Sequence, residues 1–326
     1  MTNRITRRQF STGVAVSGFG LRGVAQAQAY PSRPVRFILP FAAGGVADVT
    51  ARLAADKLGE KLGQRFVVEN MAGPGGITAG RAIATAAPDG YTIGLLTNGT
   101  AISAAIYKSL PYDPVKDFAP ISALGNFDLV FATNAETQYR TLPDVLKAAR
   151  EQPGKLNIGC IAVGSTQHLG AELLKALAGV NIQIVPYRTT PDVIVALLRN
   201  DIQLMVDFYA AMKSQLAEKK ILGVGTSGLT RTAFLPDVPP VAQAGVPGYE
   251  VSSWNGVCVP ASTPAAIVNQ LNRVIRDILV IPELKTKFAE FGIEAKPSSP
   301  QELKARLESE IKKWSDLIAR AGIAKL

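Results

Sequence analysis

The stretch at residues 35–62, VRFILPFAAGGVADVTARLAADKLGEKL, restricts what this chain can fold into more than any other. It opens with a β-branched and aromatic apolar run, Pro40 breaks that run, and Gly44 and Gly45 turn the chain. Apolar residues then recur at Val46, Val49, Leu53, Ala54, Leu58 and Leu62. That three-to-four spacing paints one face of a helix. The unit is therefore strand, glycine turn, helix. With Gly45 as the cap, the amides of Val46 and Ala47 have no partner inside the helix. They point into the turn, where the helix dipole adds a partial positive charge. Such a turn is an anion site, and Phe41, Ala42, Ala43, Gly44 and Gly45 are its candidate contacts. Asp48, three residues past the cap, can reach back to the turn's own amides and shape the loop.

The design repeats along the chain. Residues 65–69 (RFVVE) read as a second strand, and 70–76 (NMAGPGG) as a turn into an alanine-rich helix through Ala86. Residues 91–96 (YTIGLL) read as a third strand, ending in a polar loop of Thr97, Asn98, Gly99 and Thr100. Alternating strands and helices imply a parallel sheet covered by helices. In such sheets ligands sit beyond the carboxyl ends of the strands, which brings Thr97 and Asn98 to the same edge as the first glycine turn. Residues 110–120 (LPYDPVKDFAP) are irregular, and 121–134 regain strand character as a crossing between domains. A second α/β unit follows, with helices at 142–150, 166–177 and 191–199 and strands at 156–161, 182–187, 202–206 and 221–226. A proline-rich connection leads to strand 251–260 (VSSWNGVCVP), which can pair with the first crossing and carry the chain back. Three helices from Pro264 onward complete the first domain. The expected fold class is α/β, with two lobes that each hold a mostly parallel sheet flanked by helices, joined by two crossing strands. Lobe 1 spans 30–126 and 252–326, and lobe 2 spans 127–251.

In the second lobe Gly164, Ser165 and Thr166 repeat the glycine-turn design before a helix. Ser165 is a natural N-cap, and the free amides beside Thr166 remain available to an anion. Two helix starts facing each other across a cleft suit a carboxylate better than a neutral group. Arg188, before the helix start Thr189-Thr190-Pro191, offers a two-pronged donor for a carboxylate. Asp207 ends a strand at the same edge and can accept a hydrogen bond from a ligand or water. Phe208 and Trp254 are candidate walls.

Enzyme chemistry finds little support. His168 is the only histidine, it falls in a first helical turn, and no G-x-S-x-G occurs, so a hydrolytic triad has no nucleophile elbow. No close metal-ligand spacing is present and no metal or cofactor is expected. Residues 223–228 (GVGTSG) match G-x-G-x-x-G, but prolines follow where a long helix should run, which argues against a dinucleotide. Cys160 and Cys258 lie in separate strand-like segments and are read as free buried thiols.

The first 29 residues differ from the rest. Arg4, Arg7 and Arg8 precede a weakly apolar Gly/Ser/Ala/Val segment and then AQAQA, the basic, apolar and small-residue order of an export signal. Thr6-Arg7-Arg8-Gln9-Phe10 resembles a twin-arginine signal, with the general secretion route as the alternative. Loss of this segment removes Arg4, Arg7, Arg8 and Arg22 and no acids, so the net charge falls from +9 to +5. A modest positive balance favours small anions, and no basic stripe interleaved with aromatics points to nucleic acid. No later stretch has the roughly 18 apolar residues of a membrane span.

Several blocks taken in order, PVRFILPFAAGGVAD, VVENMAGPGG, APDGYT, LPYDPVKDFAP, GSTQHLGAELL, VPYR and LPDVPPVAQAGVPGYEVSSW, resemble the Bug-type solute-binding proteins of tripartite tricarboxylate transporters. The resemblance covers essentially the whole chain after the first 29 residues. It implies a hinged, type II-like periplasmic binding protein, acting as a monomer, that captures a small mono-, di- or aromatic carboxylate for membrane transporter subunits. It also implies that the guest lies between the loop at Phe41–Asp48 and the loops at Gly164–Thr166 and Asp207. The sequence departs from the family where Ala42, Ala43 and Val46 replace the usual proline or glycine, where Ala47 replaces threonine, and where Arg188-Thr189 replaces Lys-Gly. Val46 should narrow the pocket, and Arg188 could serve a second carboxylate. A sensor subunit that signals occupancy is the alternative to a transport receptor, with a hydrolase using the same cleft behind it.

Overall fold

The computed structural model describes residues 30–161 and 163–326; the export signal expected at residues 1–29 lies outside the described residues. In lobe 1 the chain runs β1 (Val35–Leu39), α1 (Val46–Leu62), β2 (Phe66–Asn70), α2 (Ile77–Ala84), β3 (Thr92–Thr97) and α3 (Asn98–Ile106). The long strand β4 (Phe118–Asn134) leads out to α4 (Leu142–Glu151), β5 (Asn157–Ile161), α5 (Thr166–Ala178), β6 (Gln183–Tyr187), α6 (Thr190–Leu198), β7 (Leu204–Phe208), α7 (Tyr209–Ala217) and β8 (Ile221–Thr226). Strand β9 (Ser252–Pro260) returns to α8 (Ala265–Leu279), α9 (Pro282–Ala289), β10 (Glu294–Ala295) and α10 (Pro300–Arg320).

Strand pairing explains the two-lobed shape. β1 is parallel to both β2 and β3, and β5 is parallel to both β6 and β7. These are the strands separated by helices, as crossover connections require. β4 and β9 pair antiparallel from Phe118↔Pro260 to Asp128↔Ser252. The amino-terminal part of β4 thus belongs with β9, which itself pairs with β3, while its carboxyl-terminal part pairs with β7 and β8. One strand, β4, belongs to both sheets. β3 is buried along its whole length, the pattern of a strand covered on both faces.

Three helix starts carry reciprocal caps, at Thr97 with Thr100, Thr141 with Asp144 and Ser299 with Glu302. The first of these corrects the expectation of a loop at residues 97–100: it is the opening turn of α3. α7 is also absent from the sequence reading, because among its residues only Met212 is buried and the apolar period is weak. The largest apolar cluster runs from lobe 1 into lobe 2, through Ile102 and Ile106 of α3, Leu129 and Phe131 of β4, Leu169 and Leu174 of α5, and Trp314 of α10. Both cysteines are free and buried, and burial pushes the Cys160 thiol up to about 12. No described helix is long and apolar enough to cross a membrane.

The glycines of GVGTSG serve packing. A Cβ on Gly225 would lie 2.8 Å from Val241 Cγ2, and one on Gly228 would lie 2.2 Å from Asp128 Oδ2. Asp128 sits where β4 leaves lobe 1. Burial chiefly, then Glu294 and Glu250, push its carboxyl up to about 6, against the opposing pull of the Ser252 hydrogen bond and Arg306. A carboxyl raised in the folded state contributes stability that is intact near pH 4 and lost as pH rises through about 6. Asp128→Asn should therefore stabilise the protein at pH 8 by about 1–3 kcal/mol and by almost nothing at pH 4, measured by urea unfolding at both pH values.

Candidate functional site

A cavity of about 680 Å³ lies between the lobes. Its rim is made by helix starts, as expected for the carboxyl ends of parallel strands. From lobe 1 it is lined by Phe41, Gly45, Val46 and Ala47 at the start of α1, and by Thr97, Gly99 and Thr100 at the start of α3. Lobe 2 contributes Gly164, Ser165, Thr166 and Gln167 at the start of α5, Thr190 at the start of α6, and Asp207 with Phe208 at the end of β7.

The α1 turn is held by a side-chain clamp. Asp48 accepts from the Gly44 amide at 2.9 Å, from Arg52 Nε at 3.0 Å and from Asn70 Nδ2 at 2.9 Å. Asn70 Nδ2 also donates to the Phe41 carbonyl at 3.0 Å, which turns that carbonyl toward Asn70. Burial alone would push the Asp48 carboxyl up, but its bonds from Arg52, Gly44 and Asn70 hold it below the ordinary range. Asp48 is thereby committed to shaping the loop. The Gly44 amide is spent on it, and Ala42, Ala43 and Gly44 do not line the cavity. Val46 and Ala47 line the cavity, and as the first residues of α1 their amides have no partner within the helix.

Ser165 caps α5 with both functions of its hydroxyl. It accepts from His168 N at 3.0 Å and donates to the Ile161 carbonyl at 2.7 Å. Asp207 is 2 % exposed and accepts from Gln167 Nε2 and Phe208 N, each at 2.8 Å, and from the Thr190 hydroxyl. Burial pushes its carboxyl up, and those three donors pull it back. Asp207 therefore ties the starts of α5 and α6 to the end of β7.

Besides Ala42, Ala43, Gly44 and Asp48, three candidates do not line the cavity: Trp254, Arg188 and Asn98. Trp254 does not wall the cavity: it is fully buried in the core beside α10, with the Arg306 guanidinium 5.2 Å from its ring centre. The pleat explains this, since Ser253 and Asn255, its neighbours on β9, both face the cavity. Arg188 is exposed and does not line the cavity, so it supplies no charge there. Asn98 is fully buried behind the rim, where Oδ1 accepts from Trp314 Nε1 at 2.9 Å and Nδ2 donates to Thr166 Oγ1 of lobe 2 at 3.2 Å. The sequence reading missed Ser253 and Asn255, which period-two alternation from Trp254 would have placed. It also missed Tyr107, Tyr112 and Phe127, whose only signal is tertiary.

Two α/β lobes that share the long strand β4 and turn helix starts toward one cavity define a two-lobed solute-binding protein. The chain belongs to the family described as tripartite tricarboxylate transporter family receptor (TctC), whose model matches residues 50–323. It is 34% identical over 316 residues to a "UPF0065 protein in tcbD-tcbE intergenic region" of Pseudomonas sp. strain P51, covering 96% of this chain and 94% of the relative. It is 30% identical to "Protein BugT" of Bordetella pertussis, covering 99% of each. Among solved structures it is similar to R. palustris Rpa4515 with adipate (34% identity, TM-score 0.82, 91% of this chain and 100% of that one). MatC from Rhodopseudomonas palustris with bound malate is 30% identical, with a TM-score of 0.77, over 89% of this chain and 100% of that one. The resemblance read from the sequence blocks is thus borne out at the level of family and fold.

The Asn98 bridge yields a paired expectation. Asn98→Leu leaves the buried Trp314 indole N–H without an acceptor and should destabilise the protein by about 1–3 kcal/mol. Thr166→Val leaves the buried Asn98 Nδ2 without that acceptor and should also cost about 1–3 kcal/mol. Urea unfolding of the two variants side by side checks both costs.

Proposed function

We propose that this protein is an exported receptor that captures a small organic carboxylate in the interlobe cleft and passes it to the membrane subunits of a tripartite tricarboxylate-type transporter. The observation that carries this reading is the convergence of the α1 and α5 starts, from opposite lobes, on one cavity. Unpaired amides at helix starts favour negative charge. Amides on both sides let an anion bridge the lobes, so a guest stabilises the closed state over the open one. Lobe boundaries at 126/127 and 251/252 are part of this reading; they lie beside the point where β4 exchanges β9 for β7, at Asp128 and Leu129, and where the chain enters β9 at Ser252.

Export rests on the basic, apolar and small-residue order of residues 1–29, and a periplasmic site of action follows from it. The carboxylate class is supported by relatives whose structures hold adipate and malate. A binding role rather than catalysis is supported by the lining. Asp207 is the one acid there among the described residues, and its oxygens are already engaged by Gln167, Thr190 and Phe208.

Gly45 offers a clean test. Its φ of −80° suits any residue, and a Cβ built on it meets nothing within 4 Å. Gly45→Leu should cost the ligand-free protein no more than about 1 kcal/mol, because leucine is a poorer N-cap than glycine. A carboxylate at 100 times its Kd should add about 2.7 kcal/mol to the wild type and nothing measurable to the variant. Thermal-shift measurements on both proteins with a panel of mono- and dicarboxylates give the answer. Equal shifts in the two proteins would remove the α1 cradle from the binding site.

A further inference from the structure

We propose that the guest of this cleft is an organic acid with one carboxylate and a ring-sized apolar body that carries a neutral oxygen acceptor, rather than a short dicarboxylate. This inference rests on the carboxylate-receptor reading above and narrows it.

The cavity continues from the helix-start rim into lobe 1, where Ala79 and Ile83 of α2, Leu95 of β3, Tyr107, Tyr112 and Phe118 line it. These walls are firm. The Tyr112 ring packs against Phe118 with centroids 5.3 Å apart, and it lies so close to α2 that a Cβ on Gly80 would sit 2.3 Å from its Cζ. Rigid aromatic and branched walls favour an apolar occupant of matching width. A volume of about 680 Å³ is far more than a four-carbon diacid fills.

Charge points the same way. Among the described residues that line the cavity there is no lysine, arginine or histidine, and the one charged side chain is Asp207. The helix-start amides can hold one carboxylate at the rim. A second carboxylate reaching into the apolar arm would lose its water and gain no cation, which is unfavourable.

The third observation is an unmet donor. Asn255 is 1 % exposed, lines the cavity, and its Nδ2 has no hydrogen-bond partner. A buried donor without a partner is costly, so an acceptor on the guest would satisfy it. Because Asn255 is neutral, a carbonyl, hydroxyl or ether oxygen suffices.

The test ranks matched acids on the purified wild-type protein by calorimetry: 3-phenylpropionate, 3-benzoylpropionate, hexanoate, adipate and malate. The expected order places 3-phenylpropionate at least tenfold tighter than adipate and malate, with the keto group of 3-benzoylpropionate tightening it further. Asn255→Ala should cancel the gain from the keto group. Ala79→Leu, which narrows the arm, should weaken 3-phenylpropionate at least tenfold while leaving propionate unchanged. If Ala79→Leu does not fold, the wild-type ranking decides alone. Adipate or malate binding as tightly as the aryl acids overturns the inference and leaves the receptor reading standing. Heat from none of the acids overturns both.

Discussion

Everything in this molecule depends on one long strand, β4, belonging to two sheets. It forms an antiparallel ribbon with β9 in its first part and pairs with β7 and β8 in its second, so neither lobe can complete its sheet without it. The ribbon also fixes direction. Parallel strands on either side of it end toward the same cleft, so the helices that follow begin there, and each beginning leaves amides that its own helix cannot use. Side chains then settle which of those amides stay free. Asp48 takes the Gly44 amide and Ser165 takes that of His168, while Val46, Ala47 and Thr166, at the starts of α1 and α5, line the cavity.

The buried polar groups around the cleft divide by the work their partners leave them. Asp207 is fully occupied by Gln167, Thr190 and Phe208, and it holds two helix starts and a strand end in register. Asn98 is occupied on both sides and links α10 to α5 through Trp314 and Thr166. Asn255 alone of these three retains an unmet donor. A residue with saturated hydrogen bonds shapes a site, whereas one with a vacant position can choose what enters it. By that criterion the acid that looked like a ligand contact in the sequence is a scaffold, and an amide that drew no attention is the better recognition group.

The lobes, their crossings and the two glycine turns before α1 and α5 are legible because they are written in short-range patterns. Period-two apolar runs give way to three-to-four spacing at Gly45 and again at Ser165, and capping residues stand at the joins. The start of α3 is not, because Thr97-Asn98-Gly99-Thr100 is polar and glycine-bearing like a loop. Its helical identity lies in the reciprocal bonds of Thr97 and Thr100. Trp254 was misplaced for a different reason: an aromatic beside a predicted cleft attracts attention, but the pleat assigns its neighbours to that face. Arg188 was offered on charge alone, and sequence has no means of showing that β6 and α6 leave it exposed.

The apolar arm was beyond reach for a deeper reason. Ala79, Leu95, Tyr112 and Phe118 come from α2, β3 and the connection into β4, and each has an ordinary core spacing in its own segment. Whether such residues meet to exclude space or to leave it depends on volumes that only the assembled lobe defines. The electrostatics of the arm are likewise a property of the assembly. The chain carries a net positive charge, yet no lysine, arginine or histidine is among the described residues lining the cavity. Long-range attraction of an anion and its final seat are therefore supplied by different parts of the molecule. In the receptor proposed above, surface cations would raise the encounter rate, while neutral amides at helix starts would hold a carboxylate without tying it to a fixed counter-ion. A guest held by oriented dipoles is released when the lobes part, because the amides that satisfied it from one side move away with their own lobe. That reversibility is the property the proposed receptor role needs, and it follows from where β4 puts the helix starts of the two lobes.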